Sequence, residues 1–237
     1  MHSSTYTTNN ELLLKNGLNL QAVFNLKDLP QTLSDKIQAT HTDASAFKQL
    51  IVFAHGGKDM WQAMQTSDYA HTKDPIDSFS KDVVHTYFKQ ELTKHIFQFI
   101  YPDKQQNIPL KELGELAGWH HPTPFRVGIN EVFGSWFAYR AVVLADTHLP
   151  STPKIDLPSP CDTCVDKPCI TICPAKALEG GDLSLPTCLN YRLEEGSKCT
   201  STCLSRLICP IAKEHRYTSK QIKYHYDISM QSIKQYL

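Results

Sequence analysis

Apolar and polar positions along the first 150 residues change rhythm several times, and each change marks an element. Val83, Val84, Tyr87, Phe88 and Leu92 recur at the spacing of one helix face, which predicts a helix over residues 80–95. Shorter helices are predicted over 11–16, stopped by Gly17, over 59–65, and over 109–117, with Pro109 at the start and Gly118 at the stop. The run Gln-Leu-Ile-Val-Phe-Ala at 49–54 is apolar after Gln49 and ends in His55-Gly56-Gly57, which reads as a buried strand and a turn. Further strands are predicted over 20–26, 96–101 and 135–145, the last being the longest. Near the C-terminus, residues 219–237 place Ile222, Tyr226, Ser229, Met230 and Ile233 on one helical face, the pattern of a helix that docks on a core.

Between these regions the pattern breaks. Pro150, Pro153, Pro158 and Pro160 make a connector that cannot be helix and leads into a cysteine-rich segment. The expected organisation is therefore an α/β-patterned core domain over 1–150, a small cysteine-bearing domain over 151–215 and a C-terminal helix over 216–237, α+β in overall class.

All eight cysteines lie in the last third of the chain. They run Cys161, Cys164, Cys169 and Cys173, then Cys188, Cys199, Cys203 and Cys209, and prolines follow Cys173 and Cys209 directly. Three close cysteines and a fourth in a Cys-Pro pair is how a chain wraps an iron–sulfur cubane, and eight thiolates suffice for two [4Fe–4S] clusters. In two-cluster ferredoxins the fourth cysteine of a run crosses to the other cluster. That rule gives one set of Cys161, Cys164, Cys169 and Cys209, and another of Cys173, Cys188, Cys199 and Cys203. Structural zinc is the competing assignment, because Cys161-x2-Cys164 is also a zinc half-site, but no second such pair follows. Disulfides are not expected: the chain opens Met1-His2-Ser3-Ser4-Thr5, with neither a basic start nor an apolar leader.

Charge narrows the partners. Lys plus Arg and Asp plus Glu number 24 each, and no basic block suggests nucleic-acid binding. No apolar run approaches the roughly 18 residues of a membrane span, so a cytoplasmic protein with reduced thiols is expected.

Several segments resemble the epoxyqueuosine reductases: Leu116-Ala117-Gly118-Trp119, then Phe133-Gly134-Ser135-Trp136-Phe137, Leu149-Pro150, and Cys173-Pro174-Ala175-Lys176-Ala177-Leu178 with the lone Cys188 before Tyr191. Residues 134–144 are also similar to cobalamin-processing proteins. The resemblance implies a nitroreductase-like core followed by a ferredoxin-like dicluster domain, with a corrinoid (cobalamin) as a further cofactor. It also implies a redox partner that donates electrons, and a small-molecule or tRNA substrate. The reductases are longer and match through their core and cluster regions. Their catalytic aspartate precedes a Pro-centred helix; here Gln106, Asn107 and Ile108 precede Pro109 and Asp103 lies further upstream, so no catalytic residue is carried over. Their Gly-rich stretch is here His120-His121-Pro122-Thr123-Pro124, and Lys167-Pro168 is an addition inside the first cysteine run.

Candidates for a corrinoid pocket are Trp119, His120, His121, Trp136 and Arg140. Aromatic faces suit a flat ring, and a guanidinium inside an apolar strand needs a carboxylate or a cofactor side chain. Two readings of function follow: a corrinoid-dependent reductase fed by two clusters, or a ferredoxin-like carrier with neither corrinoid nor catalytic site.

Overall fold

The apolar run at 49–54 becomes the central strand of an antiparallel sheet. β1 (Leu20–Asn25), β2 (Gln49–Gly56), β3 (Phe97–Tyr101) and β4 (Phe137–Ala145) are ordered β1-β2-β4-β3. Every position of β2 is buried, since it is flanked on both edges and covered on both faces. Leu50, Ile51, Val52 and Phe53 are fully inaccessible, and each such side chain contributes about 1.5–3 kcal/mol of burial. The structure, a computed structural model, describes residues 8–40, 46–102, 108–153 and 156–236; Asp103, Gln106, Asn107 and Leu237 fall outside the described residues.

Helices α1 (Glu11–Lys15), α2 (Gln31–Thr40), α3 (Asp59–Gln65), α4 (Pro75–Glu91) and α5 (Leu110–Leu116) accompany the sheet. α4 begins five residues before the expected start because Pro75 sits at its first position, where φ is preset and the missing N–H is not needed. Its apolar stripe then runs Ile76, Phe79, Val83, Val84, Tyr87 and packs on α1, α3 and β4. α2 was not expected, although Leu33 and Ile37 stand one turn apart and both are buried. All strand pairings are antiparallel, so the observed class is α+β.

The chain divides into two compact units. The first holds the described residues up to His120 together with Phe137–Asp156; the second holds His121–Trp136 together with Leu157 onward. The second unit is built on short helices, α6 (Pro168–Thr171), α7 (Leu185–Leu193) and α8 (Leu204–Ile208), followed by the long α9 (Ser219–Tyr236). Inward burial of Ile222 and Met230 shows α9 docking by the face its sequence pattern marks. Among the described residues, no helix is long and apolar enough to cross a membrane.

Candidate metal centres

The cysteines of the second unit are set by proline-punctuated turns. Lys167 takes the left-handed conformation just before Pro168, which starts α6 and carries Cys169 into its first turn. Cys173 follows α6, and Lys176, again left-handed, closes the turn onto the Cys173 carbonyl. α7 carries Cys188, whose N–H is bonded to the Ser184 carbonyl. Cys203 caps α8 at its start and Cys209 at its end.

These elements surround two cavities. The first, of about 330 Å³, is lined by Cys161, Cys164, Cys169 and Cys209. The second, of about 280 Å³, is lined by Cys173, Cys188, Cys199 and Cys203. The structure thus groups the thiols in the same two sets that ferredoxin wrapping gives. All eight thiols are free of disulfides. Among the described residues, no three His, Cys, Asp or Glu side chains close tightly enough to grip one metal ion. The sulfurs ring open volume instead.

Electrostatics follow the same division. Burial pushes the Cys161, Cys169, Cys188, Cys199 and Cys209 thiols above their ordinary range, and neighbouring sulfurs add to this. Those acting on Cys161 are Cys209 and Cys164; those acting on Cys188 are Cys203, Cys173 and Cys199. Each of these five thiols therefore answers to members of its own set. Donors oppose the shift: Ser159 at Cys161, the backbone N–H of Leu204 at Cys199 and that of Ile211 at Cys209. N–H groups aimed at sulfur are what an anionic cluster requires of its surroundings.

Two features hold the cavities in place that sequence reading did not single out. Phe125, 8% exposed, lines both cavities and packs with Cys169 and Leu178. It reaches that place on the 121–136 segment, pinned where His121 and Ile129 pair in antiparallel fashion. Arg126 beside it makes a two-pronged ion pair with Asp182, at 2.8 and 3.1 Å. Gly134 explains the glycine of the Gly-Ser-Trp motif. Its φ of +56° lies in the left-handed region, and a Cβ there would stand 2.6 Å from the Ile211 carbonyl oxygen, just after Cys209-Pro210.

The corrinoid candidates are distributed over both units. Trp119, His120 and Arg140 belong to the first, His121 and Trp136 to the second. Trp119 is 1% exposed and stacks near Tyr139, whose ring lies over Gly114 where no side chain stands. The Tyr139 hydroxyl is 3.4 Å from His120 Nδ1. Trp136, also 1% exposed, packs under the Arg206 guanidinium at 4.4 Å and against Tyr217. Arg140 is the extra residue of a β-bulge, because Ala54 pairs with Tyr139 and Phe53 with Ala141. The bulge turns its guanidinium onto His55 Nε2, at 3.0 Å.

No protein-family model matches the chain, and no curated protein sequence does either. Solved structures do match. A selenomethionine-labelled epoxyqueuosine reductase is 13% identical over 88% of this chain and 66% of its own, with a TM-score of 0.55. An epoxyqueuosine reductase with a tRNA-Tyr epoxyqueuosine-modified stem loop is 12% identical over 90% of this chain and 67% of its own, at 0.54. The Bacillus subtilis enzyme with its catalytic aspartate loop swung out of the active site is 14% identical over 88% and 66%, at 0.53. The chain spans about two thirds of the length of these proteins. It has the fold of the epoxyqueuosine reductases.

Proposed function

We propose that the chain is an iron–sulfur redox protein that carries two [4Fe–4S] clusters, one in each cysteine-lined cavity. The carrying observation is the four-and-four division of the thiols between two separate cavities. Such clusters, when bound, accept and release single electrons. The chain's own part is to supply the thiolates, to direct N–H donors at the sulfurs and to keep water out. Phe125, Leu178 and the surrounding prolines and leucines form the dry walls. Ligand residues drawn from both sides of α8 tie the two sites together, with Cys203 serving the second and Cys209 the first.

The fold supports an enzymatic use of these electrons, in reduction of a substrate with or without a corrinoid. A tRNA-borne epoxide is one substrate to test. The same two cavities would equally serve the second reading, a ferredoxin-like carrier that passes electrons to a partner protein. The two are separated by anaerobic purification, analysis of iron, sulfide and zinc, and absorbance after adding hydroxocobalamin. Close to eight irons with a shifted corrin spectrum supports the reductase. The same iron with an unchanged spectrum leaves the carrier, and zinc in place of iron sinks both.

A further inference from the structure

Arg192 is 9% exposed and lines the second cavity. A buried guanidinium ordinarily has a carboxylate beside it, because an uncompensated charge is costly away from water. Among the described residues, no carboxylate lies within ion-pairing distance of Arg192. Neutral acceptors hold it instead. Its Nε donates to the Cys199 carbonyl at 3.2 Å, and its two terminal nitrogens donate to Ser229 Oγ at 3.1 Å and the Tyr226 carbonyl at 3.5 Å. The plane lies 5.2 Å over the Tyr226 ring. Residue spacing does the rest: Arg192 stands one helical turn after Cys188 on α7, on the same side.

The first cavity is different. Five prolines line it (122, 124, 160, 168 and 210), and none of them has an N–H to offer a sulfur. Its charged lining residues are Lys167 and Asp182, both exposed, and Asp182 is already paired with Arg126. Arg216, half-buried, and Lys213, exposed, are the cations next along the chain from Cys209, and neither lines the first cavity.

We propose that Arg192 is the built-in counter-cation of the second cluster and holds that cluster's reduction potential above the first's. The inference rests on the two-cluster reading. Reduction adds one electron, and a buried positive charge close to the sulfurs stabilises the more negative state with little screening. Electrons entering the molecule then settle at the second site.

The test is a mediated potentiometric titration of the anaerobic protein, with dithionite as reductant and electron paramagnetic resonance as readout. Wild type, Arg192→Gln and Arg192→Lys are compared, with iron measured in each. The expected result is two separate midpoints in wild type, the higher one shifted down in Arg192→Gln and largely restored in Arg192→Lys, at full iron content. Unchanged midpoints in a fully loaded Arg192→Gln protein would overturn the proposal. If Arg192→Gln loses half the iron while Arg192→Lys keeps it, the charge itself holds the cluster and the proposal stands. Loss in both variants would show a role in shape alone and would overturn it. Absence of iron from wild type would instead remove the two-cluster reading, a separate failure.

Discussion

The two cavities reach the same four-sulfur arrangement by different routes. Three sulfurs of the first come from residues 161–169, with Cys209 as its distant member. Those of the second are spread over 173–203, and α9 seals the site with Tyr226 and Ser229. One is local and walled by proline; the other is dispersed, walled by leucines, tyrosines and Phe125, and holds a buried cation. A local loop needs little more than its own turns. A dispersed site needs the rest of the unit to fold around it, so its integrity is tied to α7 and α9.

Substitutions can strike both sites, the first alone or the second alone. Phe125→Ala is expected to have the largest effect, since it removes the wall common to both cavities. A buried Phe→Ala change costs about 3–5 kcal/mol, and the space already beside this ring puts the expected loss near 3 kcal/mol. Chemical denaturation of the loaded protein, followed by cluster absorbance, should show both clusters lost at lower denaturant. Gly134→Ala should act on the Cys209 corner only. The left-handed φ and the close Ile211 oxygen predict about 1–3 kcal/mol of destabilisation, read as a lower thermal midpoint with preferential loss of the first cluster. Ser229→Ala should touch only the second site. It removes one hydrogen bond to Arg192, worth about 1.5–3 kcal/mol for a charged donor at most, and should lower only the higher of the two midpoints.

The smallest effect concerns pH. Arg126 holds the Asp182 carboxyl down at about 2. A carboxylate whose folded value lies below its unfolded value adds stability above about pH 4, and that stability disappears as pH falls through about 2. Both side chains are exposed, so screening makes the contribution slight. Wild type should outlast Asp182→Asn narrowly at pH 6, and the gap should shrink as pH falls to 2. An equal gap at both values would remove the ion pair from the account.

Much of the first unit was legible in its sequence because strand and helix rhythms there are uninterrupted. The runs at 49–54 and 59–65 announce β2 and α3, and Gly17 and Gly118 mark real stops, with φ of 71° and 74°. What escaped notice was non-local. α2 offers only Leu33 and Ile37 as a stripe, and the bulge that aims Arg140 at His55 leaves no trace in composition. In the second unit the spacing of the cysteines conveys their chemistry, but not the walls between them. Phe125 lies in a Pro-rich stretch with no periodicity, and only tertiary packing brings it between the cavities. Arg192 had a signal, the one-turn spacing from Cys188, which becomes meaningful once α7 is known to be a helix.

The most direct test of the central claim is iron, sulfide and zinc analysis of anaerobic wild-type protein beside Cys164→Ala and Cys199→Ala. About eight irons and eight sulfides are expected in wild type, with each variant keeping about four, in one cubane. A variant with unchanged iron, or a wild-type protein carrying zinc, would contradict it.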